Sequence, residues 1–161
     1  MRKLLTIAFV TLVINQLASA QTAFVELGGP GLASVNFDSR FAKKDDGFGG
    51  RIGIGGFSIS DNLGDKGGVV FIPIGINYLI GRDSKNYFEI GAGVTPVIGT
   101  GDLSGNDFGT TFGHILFGYR MQPKMGGFTF RAFICPVFGD GFFIPYYGGL
   151  SFGYKFGKER K

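Results

Sequence analysis

The 161-residue sequence has no tryptophan, one cysteine and one histidine. A lone thiol, Cys135, excludes an internal disulfide, and one Cys with one His excludes a structural zinc site. No H-E-x-x-H pair and no G-x-S-x-G elbow occur. The glycines near Gly49 and Gly53 precede no helical pattern, so they do not form a phosphate loop. No well-spaced carboxylate pair suggests glycoside chemistry. Long apolar runs are also missing. After Ile14 nothing approaches the roughly 20 apolar residues of a spanning helix. Neither a cofactor nor a bound metal is expected.

The N-terminus is informative. Met1-Arg2-Lys3 is basic, and Leu4 to Ile14 is apolar apart from Thr6 and Thr11. Ala18-Ser19-Ala20 then supplies small residues where a signal peptidase reads them. Residues 1–20 are therefore expected to be a cleavable secretory signal, with an uncleaved anchor as the alternative. Gln21 follows where a lipoprotein would have Cys. Cleavage leaves about 140 residues, 21–161, enough for one domain. It also removes Arg2 and Lys3, lowering the formal charge from +4 to about +2, too small to argue for a nucleic-acid partner.

Thirty glycines and nineteen phenylalanines stand in the chain. Glycine at this density opposes helix, and the apolar residues fall at every second position. Val70, Ile72, Ile74, Ile76, Tyr78 and Ile80 alternate with Phe71, Pro73, Gly75, Asn77 and Leu79. Phe88, Ile90, Ala92, Val94, Pro96 and Ile98 alternate with Tyr87, Glu89, Gly91, Gly93, Thr95 and Val97. Similar stretches run from Thr110 to Met121, Phe128 to Phe138 and Gly149 to Phe156. A period of two means two-faced strands. Shorter or less regular stretches at Ala23 to Gly28, Gly31 to Phe41 and Phe48 to Ser60 bring the count to eight. The parity of the last of these flips at Gly55-Gly56, which reads as a bulge. Residues 22–41 fit one long strand or two strands with a turn at Gly28-Gly29-Pro30-Gly31. The even strand number of bacterial barrels favours the turn.

Segments of about 10 to 13 residues match tilted membrane-spanning strands. Connections alternate between tight (43–47, 81–85, 122–126) and longer (60–67, 99–107, 139–145). Pro73, Pro96 and Pro136 fall near the ends that meet the longer loops, where a missing ladder donor costs least. In a soluble sandwich the second face would carry many charges. Here it is mostly Gly, Ser, Thr and Asn with about one charge per strand, which suits a crowded lumen. The expected architecture is an all-β, closed, up-and-down antiparallel transmembrane β-barrel of about eight strands.

The end of the chain, Gly149-Leu150-Ser151-Phe152-Gly153-Tyr154-Lys155-Phe156, resembles the C-terminal strand signal of outer-membrane barrels, although five residues follow it. The overall plan is similar to the eight-stranded OmpA-type barrels of Gram-negative bacteria, without their peptidoglycan-binding domain. The resemblance implies location in the cell outer membrane, contact with its lipids and lipopolysaccharide, and insertion by the barrel-assembly machinery. A monomer is expected.

Parity directs Glu26, Asp38, Arg40, Arg51, Glu89, Arg120, Arg131 and Lys155 inward. Opposite charges at one depth should pair, because an unpaired buried charge is expensive. A gated ion path is the functional reading, and a structural plug of salt bridges is the plainer and favoured one. Nearer the loops, Phe71, Val97, Phe112, Leu116, Phe133 and Val137 also point inward. With Phe142, Phe143 and Ile144 they suggest a small apolar pocket, against the plainer reading of core packing. His114 is inward too, so a lipid-modifying activity has no exposed His–Ser pair and is not expected. Asp61, Asp65, Asp102, Asp107 and Asp140 against Lys66 make the loops acidic. They offer oxygen ligands for calcium, but read better as turn residues. The expected role is structural or surface-interacting. The alternative is binding or passage of small apolar or lipid-like molecules.

Overall fold

A computed structural model of the chain describes residues 21–42, 44–60, 66–101 and 110–156. The expected signal (1–20), the tail after Phe156 and the loop residues Asp61, Asp65, Asp102 and Asp107 lie outside the described residues. Eight strands follow one another: β1 (Thr22–Gly28), β2 (Ala33–Arg40), β3 (Gly47–Ser60), β4 (Lys66–Phe71, then Ile74–Ile80), β5 (Asn86–Gly101), β6 (Thr110–Met121), β7 (Gly127–Ile134, then Val137–Gly139) and β8 (Phe142–Ile144, then Gly148–Lys155). Each pairs antiparallel with its sequence neighbour, and β1 pairs with β8, from Thr22↔Lys155 to Gly28↔Gly149. The sheet therefore closes on itself as an up-and-down barrel.

A turn at Gly29–Gly31 separates β1 from β2, so the 22–41 segment is two strands. The pauses in β4 and β7 fall at Pro73 and Pro136, which have no N–H to give the ladder. The strands still run through in register, because both proline carbonyls accept bonds, from Gly53 at 2.8 Å and from Ile115 at 3.0 Å.

The expected bulge in β3 is absent. Pairing with β4 is continuous from Gly47↔Leu79 through Gly55↔Phe71 to Ser60↔Lys66. Phe57 lies opposite Val69, on the inward face, with its ring 6.1 Å from that of Phe71. An aromatic at the barrel mouth gave the impression of a parity flip. A bulge exists instead between β7 and β8. Ile134 pairs with Gly148 and Val137 with Ile144. Cys135 and Pro136 thus oppose Pro145, Tyr146 and Tyr147, two residues against three. The extra residue reverses the parity of β8. Phe142 and Ile144 turn inward, while Phe143 joins the outer face. The connection beyond, expected as a longer loop, is a tight turn at Asp140 and Gly141, with Gly141 at φ +75°.

Two faces result. The outside carries Val25, Ile54, Ile76, Phe88, Phe117, Phe128, Leu150 and Tyr154, all exposed. The inside holds the polar and charged side chains, almost all buried. This inverts a water-soluble protein, and closure of β1 on β8 removes the long edges an open sheet would have. Glycine on the inner face makes room for the filling. A Cβ on Gly49 would meet the Arg40 guanidinium at 2.1 Å, and one on Gly153 would lie 2.4 Å from the Phe24 Cβ.

The end bearing the 81–85 and 122–126 connections is called the turn end here, and the opposite end the loop end. At the turn end Asp83 Oδ1 accepts the backbone N–H of Lys85 (3.0 Å) and of Asn86 (2.7 Å). These bonds, with the Asn86 side chain, lower its pKa from 3.8 to about 2. A lowered acid pKa gives stability that is present above the unfolded value and lost as pH falls through the folded one. The Asp83→Ala variant is therefore expected to unfold at lower denaturant than the parent at neutral pH. The difference should shrink between pH 3.8 and about 2. A difference independent of pH would contradict the turn's role. Gly153→Ala is expected to cost about 1–3 kcal/mol by overpacking against Phe24, read as a lower urea midpoint. An unchanged midpoint would mean that the inner face is loosely filled.

Candidate functional site

Two features occupy the barrel: a charged plug and, toward the loop end, an apolar cavity. Seven of the inward charges sequence parity selects form one network. Asp38 holds Arg40 at 2.7 Å and Arg120 at 3.0 Å. Glu26 holds Arg51 at 2.8 Å and Arg131 at 3.5 Å. Glu89 holds Arg131 at 2.7 Å and lies 3.7 Å from Arg120. The partners come from β1, β2, β3, β5, β6 and β7, so the pairs tie distant parts of the barrel wall together.

Lys155 stands apart from this network. Its Nζ binds Asp45 at 2.6 Å and donates to the carbonyls of Pro123 and Lys124, each at 3.0 Å. It latches the turn end to two connections. Sequence parity placed it in the lumen but had no means of pairing it with a turn residue.

Four guanidinium groups face three carboxylates in the network, and neutral side chains take up the excess. Asn77 Oδ1 accepts from Arg40, while its Nδ2 donates to Asp38 (2.6 Å) and Glu89 (2.9 Å). Asn36 accepts from Arg51 at 2.8 Å, and Thr22 from Arg120 at 3.3 Å. These bridging residues were not singled out from the sequence, where they look like ordinary small polar residues of an inner face. Phe24 fills the space between two cations, with its ring centre 4.6 Å from the Arg131 Cζ and 5.4 Å from that of Arg51. Such contacts gain when desolvated.

Above the plug the lining changes. Leu116, Phe133, Cys135 and Val137 pack together, with Phe112 and Tyr147 against them. A cavity of about 280 Å³ opens there, lined by Gly29, Pro30, Leu32, Phe71, Phe112, Val137, Phe142, Ile144 and Tyr147. Of the six residues expected to form a pocket, Phe71, Phe112 and Val137 line it. Leu116 and Phe133 are buried in the packing beside it, and Val97 is buried without lining it. Phe142 and Ile144 line it as expected, whereas Phe143 faces out because of the β8 bulge. The Gly29–Gly31 turn and Tyr147 were missed. The turn is buried and folds into the barrel mouth, where a Cβ on Gly29 would meet Glu26 at 2.8 Å and Phe133 at 2.9 Å. It partitions the plug from the cavity.

His114 is buried, with Nδ1 3.4 Å from Thr95 Oγ1. Among the described residues no group of three or more His, Cys, Asp or Glu is placed to hold a metal ion.

No protein-family model matches the chain, and no curated protein matches it. Among solved structures, it is similar to the N-terminal β-barrel domain of OprF from Pseudomonas aeruginosa, with a TM-score of 0.55 and 16% identity over 85% of this chain and 96% of that one. The chain has the fold of an OmpA-type eight-stranded barrel. A second match, the attachment invasion locus protein Ail of Yersinia pestis, has a TM-score of 0.45 and 12% identity, covering 86% of this chain and 99% of that one. At these identities the likeness concerns the fold and not the site.

Removing one partner of a buried ion pair leaves a charge unpaired, at a cost of about 3–5 kcal/mol. Asp38→Ala uncovers both Arg40 and Arg120 and is expected to reach that range in equilibrium unfolding. Lys155→Met, whose partner Asp45 is partly exposed, should cost less. Equal effects of the two would contradict the separation of plug from latch.

Proposed function

We propose that this chain is an integral outer-membrane protein whose barrel is closed to passage, with a structural or surface-interacting role. The observation that carries the reading is the pairing of opposites across the wall: a buried ion-pair network inside and a continuous apolar surface outside. An exposed apolar surface this extensive on a soluble monomer would be an association hazard. In lipid it is the face a barrel needs. The plug has the complementary meaning. A water-filled path requires a lumen wider than its own side chains can fill, and eight strands enclose one that side chains fill. Outer-membrane lipids and lipopolysaccharide are then the partners of the outer face, and the barrel-assembly machinery reads the closing strand through Phe152, Tyr154 and Phe156. The protein acts as a monomer, since pairing of β1 with β8 leaves only short unpaired stretches of β3 and β8 at the loop end, too little edge to pair with another copy.

No catalytic role is assigned. His114 is enclosed beside Thr95, away from lipid and solvent. The cavity supports a second reading, the binding of small apolar molecules, without passage through the plug.

Membrane fractionation and planar-bilayer recording test the proposal together. The protein is expected in the outer-membrane fraction, and the purified barrel should show no unitary steps of the size given by water-filled porins. Recovery as a soluble periplasmic protein would overturn the membrane assignment. Large, sustained steps from the unaltered protein would overturn the plug.

A further inference from the structure

The wall of the barrel is not of even height at the loop end. Pairing of β2 with β3 stops at Ser34↔Gly55, yet β3 continues to Ser60 beside β4. Pairing of β1 with β8 stops at Gly28↔Gly149, yet β8 extends back to Phe142 beside β7. Between these taller flanks the β1–β2 hairpin closes early, with the Gly28 N–H bonded to the Leu32 carbonyl at 2.6 Å, and tucks its Gly29–Gly31 turn inside. Among the described residues this leaves a notch in the wall, and the cavity lies behind it.

The rim of the notch is apolar. Leu27 and Leu32 on one side and Ile144 on the other are exposed, and Leu27 continues the outer band with Val25 and Leu150. Among the described residues the lining is apolar apart from Tyr147, so little there would orient a polar ligand. Height along the barrel agrees. Tyr146 is 95% and Phe143 65% exposed on the outer face of the β7–β8 hairpin, beside the cavity. Exposed aromatics of this kind mark the membrane interface in barrels, so the cavity sits where acyl chains begin. Its volume of about 280 Å³ is far larger than a single water needs, and leaves room for a short stretch of hydrocarbon.

From these observations we infer that the cavity is a lateral binding site for a hydrocarbon segment of a membrane lipid, which enters from the bilayer through the notch over the β1–β2 hairpin. The occupant carries no charge into the site, because among the described residues neither the lining nor the rim offers a counter-ion. The plug beneath the Gly29–Gly31 turn keeps the chain from going deeper, so this is a binding site and not a channel. The inference rests on the membrane assignment proposed above.

The absence of tryptophan from the sequence makes single-tryptophan reporters unambiguous. Phe112→Trp places the indole at the cavity, and Val25→Trp places it on the outer face. Each variant is folded into phosphatidylcholine vesicles containing lipid brominated along one acyl chain, which quenches tryptophan on contact. Heat-modifiable gel mobility verifies folding, and Phe71→Trp replaces Phe112→Trp if the latter does not fold. The expected result is loss of more than half the fluorescence at both positions. Adding Ile144→Glu, which puts a charge at the rim, should restore most of it at the cavity and leave Val25→Trp unchanged. Quenching at Val25→Trp with none at the cavity would overturn the inference and leave the membrane assignment standing. Failure to quench at Val25→Trp would overturn that assignment, and the inference with it. Cavity quenching by aqueous iodide, or by added 1-bromooctane but not by brominated lipid, would show a site filled from water and also overturn it.

Discussion

The ion-pair network inside the barrel is the interaction on which the rest of the structure depends. Three carboxylates and four guanidinium groups are taken out of water together, and each is tolerable only because the others are there. The pairs cross the lumen, so closure of the wall and assembly of the network require one another. Glu26 on β1 binds Arg51 on β3 and Arg131 on β7; Asp38 on β2 binds Arg120 on β6. An open sheet holds no such set. Because the filling is polar, the apolar side chains are left for the outside, the arrangement that the proposed place in a bilayer calls for. The few uncommitted donors, such as Nε and Nη1 of Arg51, follow from the excess of guanidinium over carboxylate.

Much of this was legible from the order of residues. Alternation alone separates the two faces of every strand, since a side chain's face is fixed by its parity. Hence Asp38, Arg40, Arg51, Glu89, Arg120 and Arg131 are inward by inspection, and so are Phe71 and Phe112. Parity does not set the register between strands, and what was missed lies there. Which cation meets which anion depends on the stagger around the barrel. That is why Lys155 was grouped with the lumen charges although its partner is Asp45 in a connection. Asn36 and Asn77 were overlooked for the same reason: an amide becomes a bridge only when stagger brings two charges to it.

The errors about bulges have a simple origin. At Phe57 an inward aromatic at the mouth imitated a change of parity, and glycines on the preceding positions gave no side chain to decide the matter. Near Pro145 the chain does change parity, but Phe142, Phe143 and Ile144 are all apolar, so the change is invisible in composition. It was the pairing of Val137 with Ile144 against that of Ile134 with Gly148 that revealed it. This one extra residue turns Phe142 and Ile144 into the cavity and gives the loop end its apolar character. The division of labour is then clear along the barrel axis. Charged residues close the lumen, a tucked turn separates them from the space above, and that space is shaped by a bulge and two proline-interrupted strands.

The most direct test of the network's role is a double-mutant cycle on Glu89 and Arg131, whose side chains meet at 2.7 Å. Unfolding free energies would be measured for Glu89→Gln, Arg131→Met and the pair in lipid vesicles. If the buried network holds the barrel together, the double variant will be more stable than the sum of the single losses predicts, by about 1–3 kcal/mol for groups in direct contact. Additive losses would mean that the two side chains act independently, and the network could not be what closes and stabilises the barrel.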